Sequence, residues 1–384
     1  MSFDFDAALQ RRGTGSNKWS RYPADVLPLW VADMDFAVAP AITAALSARL
    51  AHPVFGYAAA GEELRAAIAA HCLARYGWAV EASDIVFLPG VEPGFNMALK
   101  SLAQPGDGVV INTPVYRPIL NAPAHWGLRR LDLPLSPLSE ADDPVLFSDA
   151  LHDQLSRARL YLLCNPHNPV GKVFSRSELQ AIANACAAQD VCIISDEIHC
   201  DLLYDRRQHV PIASLNADAA QRTVTLMAAS KTYNIAGLKA AFAIIQNPLL
   251  RQRFEAARLG MVDSVNAFGL VATQAALEHG EPWRQALITY LQGTRDHLVQ
   301  ALRTRLPGLR VVAPQATFLA WLDCSALQLQ IPAQPYFLEH AKVAFSAGTD
   351  FGSAHGDWVR LNFGCTRSVL EQAIDRLVTA LSRR

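Results

Sequence analysis

The sequence predicts an α/β fold in which helices flank a mostly parallel central sheet, followed by a smaller C-terminal α+β domain. Between residues 61 and 231, short apolar runs of strand length alternate with segments of helical period. From about residue 282 one long helical stretch is followed by short strands. The chain has 384 residues, about half of them apolar, so it can bury a large core and divide into two domains.

Three segments follow from this pattern. Residues 1–45 are rich in Trp, Pro and Asp without a clear period, so we expect an N-terminal arm that packs with the small domain. Residues 46–281 are expected to form the large α/β domain, and residues 282–384 the small one. In the small domain we expect strands near 309–322 and 357–363 and a closing helix from Ser368.

Within the large domain, individual elements can be placed. Residues 61–76 have apolar side chains at helical spacing behind an acidic first turn, which predicts a helix. Residues 175–190 predict another, in which Ser175 caps the helix and Glu178 completes a capping box. Five apolar runs predict strands that are buried on both faces: 85–90, 108–114, 159–166, 191–197 and 223–231.

Composition narrows the possible functions. Lys plus Arg number 34 and Asp plus Glu 35, and no stretch gathers a block of like charge, so we expect neither a nucleic-acid nor a membrane partner. Seven scattered cysteines without a C-x-x-C pair argue against a disulfide framework or a zinc ribbon. The N-terminus lacks the features of a signal peptide. A cytoplasmic protein that acts on a small molecule is expected.

Polar residues follow three of the predicted strands. Cys164-Asn165-Pro166-His167-Asn168-Pro169 follows one, Asp196-Glu197 with His199 follows the next, and Ser230-Lys231 follows the third. Ligands in open α/β sheets bind beyond the carboxyl ends of the strands. We therefore expect these side chains to converge.

The residue types suit pyridoxal phosphate (PLP) chemistry. A lysine that forms a Schiff base must be neutral part of the time, and a partly dry strand end favours the neutral form of Lys231. Asp196 could pair with a protonated pyridine nitrogen, which makes the cofactor ring a stronger electron sink. Asn168 could donate to the phenolate oxygen of the ring, assisted by His199.

Other interpretations remain open for each motif. A single strand-end lysine is more often a surface residue. Asp196, Glu197, His199 and Asp201 could instead bind a divalent cation, although we predict no metal. The N-P-x-N-P motif could be only a rigid turn.

Order and spacing together favour the PLP interpretation. Asn165-Pro166-x-Asn168-Pro169-x-Gly171, Ser195-Asp196-Glu197 and Ser230-Lys231 resemble the fold type I PLP-dependent enzymes, the aspartate aminotransferase superfamily. Within it, the chain resembles the MalY/PatB group of cystathionine β-lyases almost from end to end. The segments that carry this resemblance are LPLWVADMDF (27–36), VFGY (54–57), CNPHNPVGKV (164–173), SDEIHCD (195–201) and VRLNFGC (359–365).

The resemblance implies PLP as the cofactor and a role for each matching residue. Lys231 would be the Schiff-base lysine and proton shuttle, Asp196 the pyridinium partner, and Asn168 the ligand of the ring oxygen. Tyr116 would stack on the ring, where the sequence alone also allows a residue at the edge of the core. Arg360 would bind the substrate α-carboxylate, a role suited to a planar, bidentate donor, although a structural arginine is the alternative.

The remaining predicted contacts complete the site. The turn Pro89-Gly90-Val91-Glu92 opens a helix and would hold the phosphate through backbone N–H groups, with the Glu92 side chain turned away. The superfamily often has Ser three residues before the lysine and Arg eight residues after it, whereas this chain has Ala228 and Lys239. Ser230 and Lys239 would supply those contacts. Ala32, Asn168 and Tyr57 would contact the substrate. Tyr57 would also reach the phosphate from the neighbouring subunit, which implies a homodimer with a shared site.

Two reactions share these residues. Loss of a thiolate from the β-carbon gives a carbon–sulfur β-lyase that releases thiol, pyruvate and ammonia from L-cystathionine or a related cysteine S-conjugate, a reaction of methionine and cysteine metabolism. Reprotonation of the cofactor instead gives transamination. His199 replaces the Tyr common in aminotransferases, which favours the lyase. A PLP-fold regulatory protein acting by contact is the alternative from another class, although the intact Lys231, Asp196 and Arg360 argue against it.

Overall fold

The computed structural model describes residues 3–136, 139, 141–352 and 354–383, so residues 1, 2 and 384 of the predicted end segments lie outside it. Its strands are β1 Leu27–Pro28, β2 Ile85–Leu88, β3 Gly108–Thr113, β4 Arg129–Pro134, β5 Leu160–Cys164, β6 Cys192–Asp196, β7 Thr223–Met227, β8 Ala241–Ile244, β9 Leu319–Asp323, β10 Val343–Ala344, β11 Ser346–Ala347 and β12 Trp358–Asn362. Its α-helices are α1 Asn17–Ser20, α2 Pro40–Leu50, α3 Glu62–Tyr76, α4 Val91–Leu102, α5 Arg117–His125, α6 Asp149–Leu155, α7 Arg176–Ala188, α8 Ala217–Arg222, α9 Pro248–Ala256, α10 Ala267–His279, α11 Glu281–Arg305, α12 Ala333–Tyr336 and α13 Arg367–Ser382.

A seven-stranded sheet forms the centre of the larger part of the chain, in the order β2-β8-β7-β6-β5-β3-β4. Only β8 pairs antiparallel with its neighbours, so the predicted mostly parallel sheet is confirmed. Helices α4 and α7 pack on its opposite faces through two separate apolar clusters. The five predicted strands all lie in this sheet, but β4 and β8 were not predicted.

The third strand of the site, β7, ends earlier than the sequence suggested. The predicted run 223–231 is a strand only to Met227, whose partner Phe242 is the last paired residue of β8 on that side. Beyond it the chain leaves the sheet, so Lys231 lies in the following turn. The capping box of α7 is confirmed: Ser175 Oγ accepts from the Glu178 N–H at 3.1 Å, and Glu178 Oε2 accepts from the Ser175 N–H at 2.7 Å.

The C-terminal part has its own sheet, in which β11, β12 and β9 pair antiparallel. The long helix α11 and the closing helix α13 are both confirmed. The predicted strand near 309–322 is wrong in its first half, because that half is irregular and forms only a single bridge, Arg310 to Asp323. Strand β9 begins at Leu319.

The N-terminal segment packs against this C-terminal part. Strand β1 pairs in parallel with β10, and Phe5 and Leu29 share one apolar cluster with Leu287 of α11 and Leu377 of α13. The predicted boundary at residue 45 falls inside α2, which packs on α10. The division into arm, large domain and small domain stays a prediction. No helix among the described residues is both long and apolar enough to cross a membrane.

Candidate active site

A cavity of about 370 Å³ opens at the carboxyl ends of β5, β6 and β7. It is bounded by the N-terminal end of α4, the turn before α5 and strand β12. The predicted site residues that line it are Ala32, Gly90, Val91, Glu92, Tyr116, Asn168, Asp196, His199, Ser230, Lys231, Lys239 and Arg360. The structure thus brings the polar strand ends together.

The ε-amino group of Lys231 lies inside this cavity. Its Nζ donates a hydrogen bond to the backbone oxygen of Ala32 at 2.7 Å. Burial lowers the pKa of Lys231 to about 8, and the positive charge of Arg360 acts in the same direction, while Asp33 and Asp196 oppose it. The amine therefore has a substantial neutral fraction near neutral pH, as a nucleophile requires.

Asp196 is the last residue of β6, next to the end of β5. Its buried carboxylate accepts a hydrogen bond from the Ile198 N–H at 3.1 Å. Burial raises the pKa of Asp196 to about 7, although this hydrogen bond and the charge of Lys231 lower it in part. A cationic ring nitrogen would supply the opposite charge that this carboxylate lacks.

Asn168 and Arg360 contact each other at the side of the cavity. The Arg360 Nη1 donates to Asn168 Oδ1 at 3.0 Å, which leaves the amide nitrogen of Asn168 free to donate elsewhere. The backbone N–H of Tyr116 donates to the Asn168 carbonyl at 3.0 Å and fixes the turn before α5 against the asparagine turn. Burial raises the pKa of Tyr116 to about 12, so its phenol is neutral.

His199 is buried beside these residues. Burial lowers the pKa of His199 to about 3, and the positive charges of Lys231 and Arg360 act in the same direction. Its Nδ1 has no hydrogen-bond partner among the described residues. A neutral imidazole with spare hydrogen-bonding capacity therefore faces the site.

The asparagine-proline turn is rigid. The buried ring of His167 is within hydrogen-bond distance of two backbone oxygens, Cys164 O at 3.0 Å and Pro114 O at 2.8 Å. Gly171 has a φ of +75°, and a Cβ there would lie 2.6 Å from Pro314 Cβ, so both conformation and space require glycine. The turn is thus a rigid support that holds Asn168 at the cavity.

The carboxylates of the metal alternative do not converge. Glu197 accepts from Ser195 Oγ at 2.8 Å and lies 2.6 Å from His209 Nε2. Asp201 accepts from Tyr76 Oη at 2.9 Å and lies 3.0 Å from His71 Nε2. Over the part of the chain that the structure describes, no group of three or more His, Cys, Asp or Glu residues is arranged to hold a metal ion.

The positions of Glu92 and Tyr57 bear on two of the predicted contacts. The expectation that Glu92 turns away is not supported, because Glu92 lines the cavity and its charge contributes to the raised pKa of Tyr116. Tyr57 is fully exposed and lines a different cavity with Phe55, Pro89 and Lys239. Lys239 lines both cavities, so they are neighbours. Within one chain Tyr57 does not reach the site.

Comparison with known proteins places this geometry in a family. The sequence profile of aminotransferase class I and II matches residues 24–377. The chain belongs to this family. It is 39% identical over 391 residues to cystathionine beta-lyase PatB of Bacillus subtilis, covering 99% of this chain and 100% of that protein.

Two solved structures extend the comparison. OvoB is 42% identical and superposes with a TM-score of 0.93 over the full length of both chains. Cystalysin from Treponema denticola, whose structure contains a pyridoxal 5′-phosphate cofactor, is 29% identical with a TM-score of 0.95 over the full length of both chains. This aminotransferase-family chain has the fold type I PLP architecture, and the family cofactor is PLP.

The residues of this aminotransferase-family chain fit that cofactor. The cavity holds a buried amine with a lowered pKa and, at a neighbouring strand end, a carboxyl with a raised pKa. His199 Nδ1 and Arg360 Nε are buried polar atoms without a partner among the described residues. These are a nucleophile, a partner for a ring nitrogen and donors for oxygen atoms, as PLP and an amino acid require.

Residues without a predicted role also line the cavity, among them Val31, Cys164 and Ile198. Cys164, the last residue of β5, stands in the predicted strand-end motif, whereas Val31 and Ile198 carry no polar signal in the sequence. Burial raises the pKa of the Cys164 thiol well above its usual range, so the thiol is neutral and lines the cavity without acting as a nucleophile.

A larger cavity of about 700 Å³ lies elsewhere, lined by Arg75, Arg207 and Arg284. Two of these arginines already have acidic partners: Arg284 Nη2 donates to Glu281 at 2.7 Å, and Arg75 Nη1 lies 3.6 Å from the same carboxylate. None of the strand-end residues that line the first cavity reaches it. The smaller cavity is therefore the candidate active site.

Proposed function

We propose that this chain is a PLP-dependent carbon–sulfur β-lyase that cleaves L-cystathionine or a related cysteine S-conjugate to thiol, pyruvate and ammonia. The observation that carries the proposal is the cavity in which the Lys231 amine, the Asp196 carboxyl and the Arg360 guanidinium meet. The similarity to a cystathionine β-lyase over the whole chain supports the choice of reaction.

Each of these three groups has one task. Bound PLP supplies an electron sink for the negative charge that develops at the substrate α-carbon. Lys231 Nζ would hold the cofactor and, as a free amine, would remove the α-proton of the substrate. The Asp196 carboxylate would pair with the ring nitrogen. Arg360 binds the α-carboxylate and so orients the α-carbon toward Lys231.

Neighbouring residues hold the cofactor in place. The amide nitrogen of Asn168, with the neutral His199, would donate to the ring oxygen, and Tyr116 would cover the ring face. Backbone N–H groups at the start of α4, beginning at Gly90, with Ser230 and Lys239, would bind the phosphate.

Loss of the thiolate separates this reaction from transamination. The C–S bond breaks, the electron pair leaves with sulfur, and the three-carbon remainder is hydrolysed to pyruvate and ammonia. Lys231 carries the α-proton and can return it to the leaving sulfur. His199, neutral in this site, stands where the aminotransferases have a tyrosine.

The proposal includes a homodimer in the cytoplasm. Tyr57 and Phe55 are exposed beside Lys239, at the edge of the predicted phosphate site. A second copy of the chain would cover these aromatic side chains and bring its own Tyr57 to the first copy's phosphate.

The test is a reaction with L-cystathionine, in which free thiol and pyruvate are both measured. We expect equal amounts of the two products from the wild type and none from Lys231→Ala, which also loses the visible band of the protein-bound cofactor. A keto acid formed only when a second keto acid is present, without thiol, would instead indicate transamination. A protein that binds PLP and gives neither product would leave the regulatory alternative.

A further inference from the structure

Arg360 carries a buried charge that forms no ion pair with a described carboxylate, although the more distant Asp350 favours the charged form. Arg360 as a whole residue is only 5% exposed. Its hydrogen-bond acceptors are all neutral: Asn168 Oδ1 at 3.0 Å, the Trp30 carbonyl at 2.8 Å and Ser346 Oγ at 3.1 Å. Asp350 pairs with Arg117 instead, at 3.1 Å. A buried cation without an anion is costly, so other contacts must stabilise it.

The ring of Phe351 supplies such a contact. The guanidinium carbon of Arg360 lies 4.9 Å from the ring centroid, within the range of a cation–π interaction. Phe351 is itself buried, so this interaction is not weakened by water. The negative face of the ring stabilises the positive charge without forming an ion pair.

Phe351 is held in place from two sides. Its ring packs edge-on against Trp321, with centroids 5.2 Å apart and planes at 69°. Its carbonyl accepts a hydrogen bond from the Val115 N–H at 3.0 Å, next to Tyr116. The ring therefore has little freedom to move away from Arg360.

We infer that Phe351 is a positioning residue, which keeps Arg360 buried, oriented and free of an ion-pair partner so that its charge is available to the α-carboxylate of the substrate. The inference rests on the proposed role of Arg360. An acidic residue in this place would compete with the substrate for the guanidinium. An aliphatic residue would fill the space but leave the charge without the ring's negative face.

Burial makes this support necessary. It lowers the pKa of Arg360 to about 10, because the charged guanidinium is destabilised when it is removed from water. The Nε of Arg360 is buried and has no acceptor among the described residues, so a donor remains for a ligand oxygen. Loss of the ring should weaken carboxylate binding rather than cofactor binding.

The experiment compares two ligands that differ only in the carboxylate. L-Alanine and L-alaninamide are titrated into the PLP-loaded enzyme, and the change in visible absorbance of the bound cofactor gives each Kd. In Phe351→Leu we expect the Kd of L-alanine to rise about tenfold, equal to about 1.4 kcal/mol, while that of L-alaninamide changes less than about twofold. Phe351→Tyr, which keeps the aromatic face, should restore the Kd of L-alanine.

Trp358→Leu is the matched control. Trp358 stacks on Trp321 at 5.4 Å in the same aromatic cluster, but among the described residues the cation–π contact of Arg360 is with Phe351 and not with Trp358. We expect this variant to retain the wild-type preference for L-alanine over L-alaninamide. If Phe351→Leu fails to retain the cofactor, Phe351→Met provides the same comparison.

The outcomes separate the inference from the proposed function. Equal weakening of both ligands in Phe351→Leu, or no weakening, would overturn the positioning role. Equal binding of the two ligands to the wild type would overturn the role of Arg360 itself. The titration needs no C–S cleavage, so a failed lyase assay does not affect it.

Discussion

Burial acts on the two central titratable groups of the site in the same sense, because it favours the neutral form of each. It lowers the pKa of Lys231 to about 8 and raises that of Asp196 to about 7. In the cofactor-free protein the amine is thus partly deprotonated near neutral pH. A protonated ring nitrogen would bring Asp196 the positive charge that stabilises its anion.

The lowered pKa of Lys231 predicts how the cofactor-free protein captures PLP. Only the neutral amine is a nucleophile, so the rate should rise about tenfold per pH unit below a pH of about 8 and level off above it. The appearance of the visible band after mixing gives this rate. Asp33→Asn should move the plateau to lower pH, because the Asp33 carboxylate raises the pKa of Lys231. A rate independent of pH between 6 and 9 would contradict the prediction.

Replacement of Asp196 by Asn should leave the cofactor bound but slow the reaction. The amide carries no charge to stabilise a protonated ring nitrogen, so kcat/KM should fall by about 100-fold or more, the size expected for a lost electrostatic partner. Steady-state kinetics and the visible spectrum measure the two effects. Glu197→Gln is the control: this carboxylate faces His209 instead, so its loss should lower the melting temperature and leave the spectrum unchanged. A nearly active Asp196→Asn enzyme would refute the assigned role.

At the scale of elements, the strands that form the site were the easiest to predict. β5, β6 and β7 are covered on both faces, so each is a continuous apolar run whose polar end marks the site. The edge strand β4 was missed because Arg129 and Arg130 are exposed and break that pattern. The antiparallel β8 was also missed: two of its four residues are Ala, which is depleted in strands.

The role of the segment Trp30–Phe36 in orienting Lys231 could not be predicted, since its contacts join residues that are about 200 to 330 positions apart in the chain. The Asn234 side chain accepts a hydrogen bond from the Met34 N–H and donates one to the Met34 carbonyl. Asn362 Nδ2 donates to the carbonyls of Val31 and Asp33, each at 2.6 Å. This segment presents the Ala32 oxygen to Lys231. Such side-chain-to-backbone contacts leave no local pattern in a sequence.

Asn362→Ala should therefore impair both stability and catalysis. It removes one of two donors from the Val31 and Asp33 carbonyls and leaves the Gly364 N–H without its acceptor, which should cost about 1–3 kcal/mol of unfolding free energy. A displaced Ala32 oxygen would no longer orient Lys231, so kcat should fall by about tenfold or more. Urea denaturation and steady-state kinetics measure the two effects. An enzyme that loses stability but keeps full kcat would show that the segment does not orient Lys231.

Ser175→Ala is the contrasting change. It removes one half of the capping box of α7, away from the cavity, and should cost about 1 kcal/mol of unfolding free energy. Its kcat should equal that of the wild type, measured in the same assays. A large loss of activity here would mean that kcat follows global stability. The lower kcat of Asn362→Ala could then no longer be assigned to the orientation of Lys231.

At the scale of the whole molecule, the site needs the N-terminal segment, the central sheet and strand β12 at once. The sequence predicts the sheet and its polar rim from local patterns, and an arm that packs with the small domain. It does not predict which residues make that contact, here Phe5 and Leu29 with α11 and α13. That cluster joins the two ends of the chain, and only tertiary structure brings them together. Contacts between two chains likewise leave no local pattern in the sequence, and the exposed Tyr57 is the residue proposed to make such a contact.

Mixed dimers of two inactive variants test whether Tyr57 serves the neighbouring site. One variant carries Lys231→Ala and the other Tyr57→Ala. If Tyr57 acts across the interface, one site of each mixed dimer has both an intact Lys231 and an intact Tyr57. Random reassembly makes half of the dimers mixed, so about a quarter of the wild-type activity should return. If Tyr57 acts within its own chain, every site lacks one of the two residues, and mixing restores nothing.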